Sequence, residues 1–171
     1  KGGELKCGEA GEICIRGELV TPGYYKNTEA TAEVRQYGWH HTGDIGVMDE
    51  EGFVTIVDRK KDMIITGGFN VFPREVEDVL ATHEAVGQVV VVGVPDEQWG
   101  EAVKAVVVLK PGFEASAELV SSMQALVKKA KGSVQLPKSI DFVPGVPLTP
   151  VGKPDKKAVR AQYWAGSERG V

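Results

Sequence analysis

Cysteine and histidine are scarce in this sequence, and each scarcity closes off a class of protein. The 171 residues hold 2 cysteines, Cys7 and Cys14, with no Cys-x-x-Cys spacing. That excludes a disulfide scaffold and points to a reducing, cytoplasmic setting. The 3 histidines make no metal pattern by spacing. His40 and His41 are adjacent and face opposite sides of a strand, and His83 stands alone in an expected helix, so no metal site is expected. Positive charge is not in excess either: 20 Lys+Arg against 24 Asp+Glu leave a net charge of -4, which argues against nucleic acid as a partner. No apolar run approaches the roughly 20 residues that span a bilayer, and Val89–Val92 reads as a buried strand, so no transmembrane segment is expected. No signal peptide is visible. The chain starts at Lys1 rather than methionine, as a piece excised from a longer protein would.

What remains is ordinary globular composition, 42% hydrophobic and 26% charged, at a length for one domain or a small domain with an appendage. Alternation from Glu12 to Arg16 predicts a half-buried strand, and Asn27 or Thr28 caps a short helix through Val34. Ile45–Met48 and Phe53–Val57 flank Asp49-Glu50-Glu51-Gly52 as a hairpin. This first part is all-β, poor in large apolar residues, and marginal by itself. After Asp62 the character changes. Met63–Ile65 is a short strand, and Pro73 opens a helix with Val76, Val79 and Leu80 on one stripe. Valine-rich strands over Gln88–Val94 and Val103–Leu109 flank a loop, Pro95–Glu101. A second helix from Ser116 or Ala117 carries Leu119, Met123, Leu126 and Val127. Ile140–Val143 is a strand and Pro154–Tyr163 a last helix. The fold class is α+β: a small β piece over 1–58, then a compact α+β domain over 59–171.

Three segments carry chemistry. Asp58-Arg59-Lys60-Lys61-Asp62 sets five charges at the mouth of a strand, where they bury nothing. Arg59 can grip a phosphate or ribose through a forked hydrogen bond. Gly67 and Gly68 let the backbone turn sharply or lie close to a ligand. Upstream stands Thr42-Gly43-Asp44, and downstream Pro147-Leu148-Thr149-Pro150-Val151-Gly152-Lys153. Read one at a time, Asp44 closes a turn, Lys61 is a surface lysine, Lys153 sits in a common Pro-x-x-Gly-Lys turn, and Trp99 is as easily a packed loop residue as a ligand contact.

Taken together and in order, these segments resemble the carboxyl-terminal part of the adenylate-forming (AMP-binding) enzymes, specifically the acyl-CoA and aryl-CoA synthetases. Gly38-Trp39-His40-His41-Thr42-Gly43-Asp44 follows the family's Gly-Trp-x-x-Thr-Gly-Asp pattern. The resemblance implies that Asp44 binds the ribose hydroxyls of ATP and the adenylate, with Arg59 as a second contact. It implies that Lys61 is the hinge of a mobile carboxyl-terminal domain, and that Lys153 neutralises charge between the carboxylate and the α-phosphate as pyrophosphate leaves. It further places Gly67, Gly68 and Trp99 along a tunnel for pantetheine and Lys138 near a CoA phosphate. Val134 and Gln135 stand where relatives often carry Tyr-Lys, so a stacking ring and one positive charge are absent there. The implied reaction consumes a carboxylic acid, Mg-ATP (ATP with Mg2+) and CoA. A triphosphate-cradling loop and an acid pocket, which the family keeps in its large amino-terminal domain, are missing, so the chain alone is expected to be inactive. Adenylation domains that load carrier proteins share the fold, but Thr66-Gly67-Gly68-Phe69-Asn70-Val71-Phe72-Pro73 favours CoA ligases. A non-catalytic module that binds a partner is the remaining class.

Overall fold

The computed structural model describes residues 3–165. The chain divides into two compact units, Lys1–Lys61 and Asp62–Val171.

In the first unit a four-stranded antiparallel sheet is organised around one long strand. Strand β1 (Ala10–Ile15) precedes helix α1 (Thr28–Val34) and the two-residue β2 (Arg35–Gln36). Strand β3 (Trp39–Met48) then pairs with β1, β2 and β4 (Val54–Arg59). Asn27 caps α1, its side chain accepting from Ala30 N–H, as the residue type requires. Asp49 organises the β3–β4 turn by accepting from the N–H groups of Glu51 and Phe53. Among the described residues Ile45 is the one large apolar side chain of this unit that is buried, while Leu19, Tyr25, Phe53, Val54 and Ile56 are exposed. So thin a core agrees with the expectation of a marginal unit.

A 3₁₀ turn, Lys60–Asp62, spans the boundary at which the second unit starts. Strands β5 (Ile64–Thr66) and β6 (Phe69–Val71) make a tight hairpin, followed by α2 (Pro73–Ala81). Strands β7 (Val86–Asp96) and β8 (Gly100–Leu109) form a long antiparallel ladder. After α3 (Ala117–Lys131), β9 (Ser139–Phe142) joins β8 in parallel, and α4 (Lys156–Tyr163) closes the unit. Mixed sheet and helices confirm the α+β class.

Alternation along β7 and β8 builds two cores from one sheet. Val91, Val103, Ala105 and Val107 pack with Val76 and Leu80 of α2 and with Met123 and Val127 of α3. Val90, Val92 and Val106 pack with Val159 of α4. Because helices cover both faces, the strands read as continuous valine rather than as alternation. Side chains also reach the backbone of β7: Glu77 of α2 accepts from Val91 N–H at 2.8 Å, and the indole N–H of Trp164 donates to Gly93 O at 2.9 Å.

Several expectations need correction. His83 lies beyond α2, not in a helix, because Thr82 turns its hydroxyl back onto Val79 O and the helix ends at Ala81. The imidazole instead accepts from Ala85 N–H and meets the Ser122 hydroxyl of α3 at 3.0 Å. The loop expected over Pro95–Glu101 shrinks to Glu97-Gln98-Trp99, since β7 and β8 both extend into it. Pro154 precedes α4, whose cap is Asp155 accepting from Ala158 N–H.

Candidate functional site

Asp44 owes its position to a bulge. Glu12 of β1 pairs with Ile45 and Cys14 with His41, so the single residue between them, Ile13, faces Thr42, Gly43 and Asp44. Gly43 takes φ +74°, a conformation that favours glycine. The Thr42 hydroxyl fastens the bulge by donating to Ile13 O at 2.8 Å and accepting from Asp44 N–H at 3.1 Å. Bulges of this kind re-aim a side chain out of the ladder.

Across the next ladder Asp44 stands directly opposite Arg59. Arg59 Nε lies 2.9 Å from Asp44 Oδ1, with the two side chains 52% and 29% exposed. At that exposure the pair contributes little to stability. What it offers is a carboxylate acceptor beside a guanidinium whose remaining N–H groups can still donate, a combination suited to a diol next to a phosphate.

A second cluster lies in the other unit. Gly67 and Gly68 form the two-residue turn between β5 and β6, with φ +56° and +84°. Two consecutive positive φ angles are what a type I′ hairpin turn demands. Gly67 N–H donates to Trp99 O at 2.9 Å, and the indole lies so close that a Cβ on Gly67 would sit 2.6 Å from its Cε3. Asp96 accepts from the N–H groups of Gln98 and Trp99, which fixes the loop that presents the ring. The structure thus brings Gly67 and Trp99 together, a contact that local sequence does not announce.

Below this turn lies Glu101, 1% exposed. Its carboxylate accepts from Ile65 N–H at 2.8 Å and pairs with Arg160 of α4 at 2.7 Å. Placed by sequence at the end of the Pro95–Glu101 loop, this glutamate gave no sign of the role, because both partners lie far away in sequence.

Lys153 is carried on a closed loop. Gly152 N–H donates to Thr149 O at 2.8 Å, Thr149 N–H to Lys153 O at 2.7 Å, and Asp155 N–H to Pro147 O at 2.9 Å. Gly152 takes φ +77°. The lysine side chain is exposed, and so is that of Lys138, whose backbone opens β9 by donating to Val103 O. Lys61 lies exposed in the 3₁₀ turn. Gln135 donates to Glu75, which also pairs with Lys131, while Val134 is exposed.

A third cluster escaped the histidine spacing. Glu12 and Cys14 lie two residues apart on β1, and the register sets His41 opposite Cys14. His41 Nδ1 is 2.8 Å from Glu12 Oε2 and 3.5 Å from Cys14 Sγ, and Lys60 Nζ donates to the same Glu12 oxygen at 2.8 Å. Burial alone would raise the Glu12 carboxyl, but the bonds from His41 and Lys60 outweigh it and hold the group below its ordinary range. Burial, helped by the Glu12 charge, pushes the Cys14 thiol up.

Residues 75–153 match the family model for the AMP-binding enzyme C-terminal domain. A medium/long-chain-fatty-acid–CoA ligase, FadD8 of Mycobacterium tuberculosis, is 55% identical over 99% of this chain and 30% of its own. A long-chain-fatty-acid–CoA ligase of Bacillus subtilis is 49% identical over 85% of this chain and 25% of its own. The chain therefore spans less than a third of the length of these relatives. Among solved structures, the amide bond synthetase McbA of Marinactinospora thermotolerans superposes with a TM-score of 0.83 at 41% identity, over 95% of this chain and 32% of McbA.

Proposed function

Because the chain carries the AMP-binding enzyme C-terminal domain found in adenylate-forming enzymes, we propose that it serves a fatty-acid–CoA ligase, supplying part of the nucleotide site and the mobile domain. The reaction has two steps. The carboxylate of the acid attacks the α-phosphate of Mg-ATP, forming an acyl-adenylate and releasing pyrophosphate. The CoA thiol then attacks the acyl carbon, the thioester forms, and AMP leaves.

The observation that supports this most is the Asp44–Arg59 pair, held side by side across the β3–β4 ladder. Asp44 accepts from the ribose hydroxyls while Arg59 turns its remaining N–H groups to ribose and phosphate. Lys153, on its closed loop, brings a positive charge to the oxygens where negative charge develops. Lys61 is the hinge between an adenylating and a thioester-forming pose. After rotation the Gly67–Gly68 turn and Trp99 line the pantetheine path, with Lys138 toward a CoA phosphate. The similarity to McbA supports a second reading, in which the same adenylate passes to an amine. The acceptor separates the two.

The experiment is Lys153→Ala in the intact ligase that includes this chain. Adenylate formation from acid and ATP should fall by at least about a hundred-fold, equivalent to roughly 3 kcal/mol of lost transition-state stabilisation. Thioester formation from supplied acyl-adenylate should persist. Equal loss in both half-reactions refutes the assignment of Lys153.

A further inference from the structure

We propose that Glu12, Cys14 and His41 form a binding site for a zinc-like divalent cation in the first unit. Three different ligand types converge there. Their ligand atoms all lie within 4.8 Å of one another, on side chains neither fully exposed nor fully buried. The arrangement is built by the ladder rather than by chance approach of long side chains. Period-two alternation sets Glu12 and Cys14 on one face of β1, and the antiparallel register delivers His41 opposite Cys14. The bulge fastened by Thr42 holds that register.

The geometry suits a tetrahedral ion. Bonds of about 2.3 Å to sulfur and about 2.0 Å to imidazole nitrogen put those two atoms roughly 3.5 Å apart at a tetrahedral angle. Cys14 Sγ and His41 Nδ1 are 3.5 Å apart. Glu12 Oε2 lies 2.8 Å from the same nitrogen, so its carboxylate must retreat by about half an ångström to reach a bonding position. Thiolate, imidazole and carboxylate together select zinc or cobalt over magnesium or calcium, which prefer all-oxygen shells. Three protein ligands leave the fourth position open to water.

Lys60 opposes the ion, since its ammonium contacts Glu12 Oε2 at 2.8 Å. Its side chain is 56% exposed, so it can swing into solvent as the cation enters. The site is therefore a contest between a tethered ammonium and a divalent cation for one carboxylate, and Lys60 sets the affinity. None of this depends on the ligase reading.

The test is titration of the whole 171-residue chain with Co2+, then competition with Zn2+. Visible bands of tetrahedral cobalt and a thiolate charge-transfer band should saturate at one ion per chain and be bleached by Zn2+. Cys14→Ser should abolish the charge-transfer band, whereas Cys7→Ser should leave it intact. Lys60→Gln, at an exposed position that does not threaten folding, should tighten binding about five-fold by removing one nearby positive charge. Far-ultraviolet circular dichroism of each metal-free variant controls for folding. The proposal is overturned by a wild-type chain that shows no tetrahedral cobalt spectrum at saturating Co2+. It is equally overturned by a band that follows Cys7 instead of Cys14, or by unchanged or weaker binding in Lys60→Gln.

Discussion

Arg160 of α4 reaches into the sheet and meets Glu101 of β8 at 2.7 Å, and that carboxylate also accepts from Ile65 N–H on β5. One buried carboxylate thereby ties the last helix to the hairpin that carries Gly67 and Gly68. The arginine guanidinium lies over the Trp164 ring, 5.0 Å from its centroid.

Arg160→Ala removes the guanidinium but leaves Glu101 buried, so the second unit should lose about 3 kcal/mol. Urea unfolding of the chain, followed by a probe in the second unit, checks this. Arg160→Lys should recover only part of the loss, since an ammonium lacks the planar fork. A loss below about 1 kcal/mol in Arg160→Ala would make the pair incidental.

Tyr163 and Lys104 share Asp141, at 2.7 Å each. Burial, then the bond to Asp141 and its charge, pushes the Tyr163 hydroxyl up to about 12. The folded state holds this proton more tightly than the unfolded one, so the contribution is complete below about pH 10 and fades as pH rises toward 12. Asp141 behaves oppositely. Burial would raise it, but the bonds from Lys104 and Tyr163 prevail and hold it below its ordinary range. Its contribution is present above about pH 4 and lost as pH falls further. Tyr163→Phe should cost about 1.5 kcal/mol at neutral pH. It should also flatten the alkaline limb of the stability profile, measured by denaturant midpoints from pH 8 to 12.

Gly67→Ala and Gly68→Ala should differ although both are left-handed. At Gly67 a methyl would sit 2.6 Å from the Trp99 ring, whereas at Gly68 nothing lies within 4 Å. The first should cost about 2 kcal/mol and alter Trp99 fluorescence, and the second about 1 kcal/mol from strain alone. Equal costs would show that the indole yields freely.

On the ligase reading, Lys61→Pro should depress the thioester step far more than adenylation. Proline fixes φ near −65° and forbids the change that rotation requires. Lys61→Ala is the control and should leave both half-reactions near their original rates. Thioester formation from supplied adenylate at an undiminished rate in the proline variant would remove Lys61 from the hinge role.

Local signals made most elements legible. Asn27, Pro73 and Ser116 marked helix starts, and valine density marked β7 and β8. What was not legible depends on register and on partners far along the chain. Strand β2, two residues long, exists only through its pairing with Trp39 and His40. His83 was misplaced because a threonine hydroxyl, not a glycine or proline, ends its helix. Asp44 and Arg59 stood out as motif residues, yet their direct opposition required the β3–β4 register. Glu101 closes the Pro-Asp-x-x-Trp-Gly-Glu stretch that holds Trp99, yet its partners Ile65 and Arg160 were not legible, and the Glu12–Cys14–His41 cluster had no motif at all, because each assembles from strands or helices that sequence patterns treat one at a time.

The two side-chain bonds to the backbone of β7 bear on solubility. Val91 N–H and Gly93 O belong to alternate residues of that strand, as do groups that point away from its partner β8 in an antiparallel ladder. Glu77 takes the first and Trp164 the second. An eleven-residue, valine-rich strand with a bare outer row of such groups would template the addition of another chain. Occupying them from α2 and from the residue after α4 blunts that row at its middle. At these two groups the edge of β7 is closed by one carboxylate and one indole, and both lie outside the strand they cover.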